Sequence, residues 1–230
     1  MKGNLMKKII LLSTLTLASF SSLASFSSLA ADYGVELAWN TNDSEQVLKT
    51  LPEQKAAFSQ LIEQGDVKDM FVLPSSIDGK PVQILRFVLS VDNEAEVATK
   101  LQDLPMYQQD LVKIASIQPL GAKWLDNTPE SDNYSVTLRW KEGIEALEMD
   151  RVLGVDLQRV ISLNNSGLVT SSYINTQVLE NGVERPIYSV AVLAKDAQQA
   201  QNLMYSFEAV QLGYATFEIE YLGKKLDMKS

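Results

Sequence analysis

Two short segments 101 residues apart alternate apolar and polar positions in the same way: Tyr33, Val35, Leu37 and Trp39, then Tyr134, Val136, Leu138 and Trp140. That period of two predicts a strand with one face buried. Each is followed by a stretch with the helical period, carrying Leu51, Phe58, Leu61 and Ile62 in one case and Leu153, Leu157, Val160, Ile161 and Leu163 in the other. Gly65 and Gly167 stand just past these stretches, where a helix C-terminus favours a residue free to take positive φ. Strand-like runs follow at 67–73 and 169–178. Asp78-Gly79 and Asn181-Gly182, both strong hairpin signals, then lead into apolar strands at 84–89 and 187–193. A second helix is expected near 93–104 and 196–207, and a closing strand at 111–117 and 214–221.

The order β-α-β-β-α-β therefore occurs twice, and it is that of the ferredoxin-like, split-βαβ module. An offset of 102 brings Gly121 and Lys123 onto Gly223 and Lys225, and Leu101 onto Leu203. The polar stretch Asp126-Asn-Thr-Pro-Glu-Ser-Asp132 has no periodicity and reads as a linker. The expected organisation is a signal at 1–30, a first module at 31–122, a linker at 123–133 and a second module at 134–230. The fold class is α+β, with two tandem modules packed sheet to sheet. Each sheet has apolar residues on both faces and its helices can cover only one, so the other is expected to meet a partner sheet.

The N-terminal pattern is of another kind. Lys2, Lys7 and Lys8 precede an apolar run from Ile9 to Phe20, and Ser28-Leu29-Ala30 ends a stretch of small residues. This is the layout of a secretory signal, with cleavage after Ala24 or Ala30. The protein is therefore expected in the periplasm or secreted, without stable membrane insertion after cleavage. Loss of residues 1–30 would leave 17 basic against 29 acidic residues, a net charge of −12. A balance so acidic argues against nucleic acid and anionic lipid surfaces as partners.

The chain contains no histidine and no cysteine. That removes thiol nucleophiles, Ser-His-Asp triads, histidine-ligated zinc and histidine-ligated haem. No Gly-rich phosphate loop is present, and no cofactor or metal is expected. What remains is carboxylate, lysine, arginine and tyrosine chemistry. Glu36, Arg86 and Lys113 interrupt apolar strands of the first module, and Arg139 and Glu218 hold comparable places in the second, where Tyr188 aligns with Arg86. Converging in a cleft between modules, such groups could bind an anion or abstract a proton next to a carbonyl. Equally, they are ion pairs between sheets or strand residues reaching solvent. Trp39 and Trp140 either line a cavity or pack beneath helices.

The segment Leu101-x-x-Leu104-Pro105-Met106-Tyr107, followed by Ile117-x-Pro119-Leu120, resembles the muconolactone isomerase-like branch of the dimeric α+β barrel superfamily. The second copy departs from it, with Phe207-Glu208 in place of the Pro-Met step. The resemblance implies two modules closing a barrel, here within one chain as a monomeric pseudo-dimer, with further dimerisation left open. Three functions remain open: binding of a small molecule or protein at the cleft, a cofactor-free isomerase or monooxygenase-like activity using a carboxylate such as Glu36, and a structural role through an exposed sheet edge.

Overall fold

The computed structural model describes residues 31–127 and 131–228. The signal read at 1–30 and the middle of the expected linker lie outside them. The first half runs β1 (Ala31–Trp39), α1 (Ser44–Glu63), β2 (Val67–Ile77), β3 (Lys80–Val91), α2 (Glu94–Leu101), α3 (Pro105–Gln108) and β4 (Val112–Asp126). The second runs β5 (Asp132–Trp140), α4 (Ala146–Asn165), β6 (Val169–Val178), β7 (Glu184–Leu193), α5 (Ala197–Met204), α6 (Glu208–Gln211) and β8 (Ala215–Lys225).

Local chemistry explains the boundaries. Asp43 caps α1 by accepting from the amides of Glu45 and Gln46, and Asp196 caps α5 by accepting from that of Gln199. Asp78 and Gly79 both take positive φ, as the two-residue β2–β3 turn demands. Two expectations need correction. The second helix of each half ends three residues earlier than expected, at Leu101 and Met204, and a separate turn follows it, started by Pro105 in the first half and after the extended Phe207 in the second. Residues 123–126, expected in the linker, continue β4, since their backbone groups pair with β6 of the other half.

All eight strands close one antiparallel barrel in the order β1-β3-β2-β8-β5-β7-β6-β4. The seams between halves are β2–β8 and β4–β6. At each seam the backbones come so close that only glycine fits. A Cβ on Gly121 would overlap the carbonyl of Ile174, and one on Gly223 that of Val72; both glycines have positive φ. These are two of the positions that match at an offset of 102.

Side chains pointing out of the barrel meet the helices in two separate cores. Val35, Leu37, Phe87 and Leu89 pack with Phe58 and Leu101, while Val136, Leu138, Tyr188 and Val190 pack with Val152 and Phe207. The barrel interior differs from the expected apolar contact of two sheets. Its apolar cluster is Val88, Leu120 and Tyr173, joined by Phe71 and Ala191, and charged side chains share the space with them. Burial of these charges is tolerable because they are paired.

Candidate functional site

The barrel brings together part of the charged set expected from the sequence. Glu36 on β1 lies opposite Arg86 on β3, and their side chains pair at 2.9 Å. Arg86 also pairs with Glu220 of β8 at 2.8 Å and donates to the carbonyl of Tyr221, so this ion pair crosses between halves. Ser116 donates to Glu36 at 3.3 Å. Lys113 does not join them; it lies opposite Ala38 and is exposed. Arg139 and Glu218 approach to 3.9 Å with side chains 53% and 74% exposed, a solvent pair. Between the two sheets the cavity is about 70 Å³, lined among others by Gly34, Glu36, Arg86, Tyr173 and Glu220. That is room for water and little else.

The placement of Tyr188 is a correction. It does not occupy the position of Arg86 but points the other way, into the second helix–sheet core, where its hydroxyl donates to Asp156 at 3.2 Å. The β6–β7 connection is longer than the β2–β3 turn, which moves the offset on β7 from 102 to 103, and a one-residue shift on a strand reverses the face. Ser189, paired with Thr137 as Arg86 is with Glu36, is the true counterpart. Trp140 is buried and donates from Nε1 to the carbonyl of Pro186 at 2.8 Å; Trp39 is half-buried and its enclosed Nε1 has no acceptor.

A second group of charges, not anticipated from the sequence, ties the seams together. Asp69 on β2 and Lys225 on β8, each with a side chain 1% exposed, pair at 2.9 Å. Lys123 on β4 reaches Asp69 at 3.0 Å and Asp126 at 3.0 Å, Lys225 reaches Asp126 at 2.8 Å, and Tyr173 of β6 donates to Asp69. Burial works to raise the Asp126 carboxyl, but the Lys225 hydrogen bond and the charges of Lys225 and Lys123 hold it below its ordinary value. Asp32, which accepts from the Lys123 amide, is raised by burial. The Tyr173 hydroxyl is pushed far up by burial and by the charge of Asp69, which keeps it a donor. Every member is engaged, so the cluster works as a clasp. The signal that could have found it was the 102-residue match of Lys123 with Lys225.

A larger space lies outside the barrel, in the first helix–sheet layer. A groove of about 910 Å³ runs between α1 and the outer faces of β2 and β3, lined by Leu51, Phe58, Met70, Val82, Leu85 and Trp39. The lining residues of α1 fall at 47, 48, 51, 54, 55, 58, 59 and 62, one face of the helix. Trp39 is the one residue of the expected set on this wall. The corresponding layer of the second half carries larger side chains at two of these places. Tyr188 stands where the first half has Leu85, since their strand partners Ile174 and Val72 correspond. Trp124, from the end of β4, packs into the second core and donates to Ser172; its counterpart at the end of β8 is Leu226, which lines the groove. The exchange runs both ways, since Phe58 and Phe87 of the first layer, ring centroids 5.2 Å apart, stand where the second has Val160 and Val190.

No protein-family model matches the chain, and no curated protein matches it by sequence. Solved structures do match it in shape. A heme-binding protein from Thermus thermophilus superposes with a TM-score of 0.52 at 14% identity, over 87% of this chain and 93% of that one. A substituted chlorite dismutase from Candidatus Nitrospira defluvii gives 0.54 at 8% identity, over 87% and 93%. The same dismutase in complex with imidazole gives 0.50 at 8%, over 87% and 93%. With these likenesses beside the eight-stranded closed sheet, the fold is that of the dimeric α+β barrel proteins.

Proposed function

We propose that this protein is an exported, non-catalytic binding protein that holds an apolar small molecule in the groove between α1 and the β2–β3 sheet. The observation that carries the reading is the contrast within one barrel. The groove of the first half is lined by Leu85 and Leu226 at the places where the second half carries Tyr188 and Trp124 in its core. Protein interiors do not keep such space without a reason, because each unfilled contact costs dispersion energy. The volume is within the range of small-molecule sites, and the lining is mostly apolar, as such sites are.

Competing readings have less beneath them. Glu36, the candidate base, is committed to Arg86 and Ser116, and the space beside it is small. Among the described residues the sheet closes on itself, which leaves for assembly only the strand ends beyond the short seams, such as Leu73–Ile77 of β2. Haem, which the Thermus thermophilus relative in shape binds according to its description, does not fit the residues present. The chain has no histidine or cysteine, and the groove wall supplies no tyrosine, leaving the Met70 thioether alone as a soft donor.

The proposal includes the history and address of the chain. We read it as two tandem ferredoxin-like modules, 31–122 and 134–230, forming an intramolecular pseudo-dimer. The repeated element order and the matched Gly121/Gly223 and Lys123/Lys225 pairs support this. The segment from Leu101 to Tyr107 supports kinship with the muconolactone isomerase-like branch, and the lysine-led, small-x-Ala N-terminus supports export to the periplasm or outside the cell.

Filling the groove tests the function. Leu85→Tyr introduces the residue of the second half, and Leu226→Trp does so independently. The neutral dye N-phenyl-1-naphthylamine should bind the unaltered protein at one site. Its affinity should fall at least tenfold in either variant while the melting temperature holds or rises. Equal dye binding in all three proteins, or none in the unaltered one, would refute the reading.

A further inference from the structure

Resting on the reading of the groove as the binding site, we infer that its ligand is a neutral apolar molecule bearing a carbonyl oxygen, which accepts a hydrogen bond from Nε2 of Gln54. Gln54 belongs to the face of α1 that lines the groove and is 4% exposed. Its Oε1 accepts from the Met106 amide at 2.9 Å. That bond fixes which way the side-chain amide is turned, because the N–H of Met106 needs the oxygen and not the nitrogen. Nε2 then carries two N–H groups with no acceptor among the described residues. The side-chain polar atoms there that are both enclosed and without a partner are Trp39 Nε1, Arg86 Nε and Arg185 Nε. Gln54 Nε2 is not one of them, so it meets open space, and the space that Gln54 borders is the groove.

The second half shows what the first leaves undone. Asp156 stands on α4 where Gln54 stands on α1, and it accepts from the amides of Glu208 and Ala209 and from the Tyr188 hydroxyl. Its polar groups are satisfied from within. In the first half Leu85 takes the place of Tyr188, and Pro105, which has no N–H, takes that of Glu208. With two donors fewer around it, the carboxylate gives way to an amide that has donors to spare. A nearly buried N–H left without an acceptor is costly, and a ligand oxygen in the groove relieves that cost. A carboxylate would lose more hydration than one neutral donor returns. A hydroxyl would bring a proton of its own to a side chain whose oxygen is already taken, whereas a carbonyl brings an acceptor alone.

Displacement of bound N-phenyl-1-naphthylamine by benzophenone and by diphenylmethane tests this, since the two differ only in a C=O against a CH₂ between the same rings. Diphenylmethane is the more hydrophobic, so an apolar groove alone would favour it. The inference requires benzophenone to displace at a concentration at least fivefold lower. In Gln54→Met that ratio should fall at least fivefold, while dye affinity stays within threefold. A second measurement needs no variant: in the ¹⁵N-correlated spectrum of the unaltered protein, a side-chain N–H proton of Gln54 should move downfield with benzophenone and not with diphenylmethane. Should Gln54→Met fail to fold, that signal decides. Diphenylmethane equal to or better than benzophenone, a ratio unchanged in Gln54→Met, or a Gln54 signal that stays fixed while benzophenone displaces the dye overturns the carbonyl and leaves the groove as an apolar site. If the dye itself fails to bind the unaltered protein, the groove reading fails first and this inference with it.

Discussion

The two helix–sheet layers of this barrel are built on the same plan and finished differently. In each, a long helix covers the sheet of its own half, and a buried polar residue of that helix anchors the turn after the second helix. Gln54 of α1 accepts from the Met106 amide, and Asp156 of α4 accepts from the amides of Glu208 and Ala209. Beyond that the layers diverge. Tyr188 fills the second layer against Phe207, ring centroids 5.9 Å apart, and gives its hydroxyl to Asp156; Leu85 in the first fills nothing comparable. The lesson is that closing the barrel and filling the layers are separate tasks. Seam glycines and the buried clasp serve the first in both halves, and the second is met by a different aromatic pair in each, Phe58–Phe87 in one and Tyr188–Phe207 in the other.

That comparison can be attacked where the halves agree and where they differ. Removing the shared clasp should cost most. Lys225→Met leaves Lys123 to pair with both Asp69 and Asp126, and a fall in unfolding free energy of about 3–5 kcal/mol is expected in urea titration. Next comes Tyr188→Leu, which gives the second half the residue of the first. It should cost about 2–4 kcal/mol by the same measurement, from lost packing and the lost donor to Asp156, and should create a second dye site.

A smaller effect is expected in the pH dependence. The Asp126 carboxyl is held below its ordinary value, so its contribution is present above the ordinary carboxylate range and lost as pH falls through its folded value. Asp32 and Asp156, raised by burial, act in the opposite sense: their ionisation takes stability away as pH rises through the window just above that range. Asp126→Asn should therefore be less stable than the unaltered protein at neutral pH, with the gap closing on acidification below about pH 4 in thermal melts. Least of all, Glu36→Gln should change unfolding free energy by under about 1 kcal/mol, because Arg86 keeps Glu220 and the Tyr221 carbonyl.

Much of the framework was legible in the sequence because it rests on local signals. Alternation at Val35–Trp39 and Val136–Trp140 marks β1 and β5, and the helical period marks α1 and α4. The ends of β4 and β8 were not legible, since Lys123–Asp126 and Lys224–Lys225 are held by strands far away in the chain. The Glu36–Arg86 pair followed from strand parity, whereas Tyr188 was misplaced because a longer loop shifts that parity by one. The groove is a matter of volume. Leu85 and Leu226 look like ordinary core residues, and only their counterparts Tyr188 and Trp124 show what is missing.

The central claim is that ligand enters the first helix–sheet layer and neither the barrel nor the second layer. Its most direct test is the indole N–H region of the ¹⁵N-correlated NMR spectrum, since the chain has three tryptophans at positions 39, 124 and 140. On addition of N-phenyl-1-naphthylamine the Trp39 signal should move in proportion to occupancy. Those of Trp124 and Trp140, hydrogen-bonded to Ser172 and Pro186, should stay where they are. A Trp39 signal that stays fixed while dye binds, or movement confined to Trp124 and Trp140, would contradict the account.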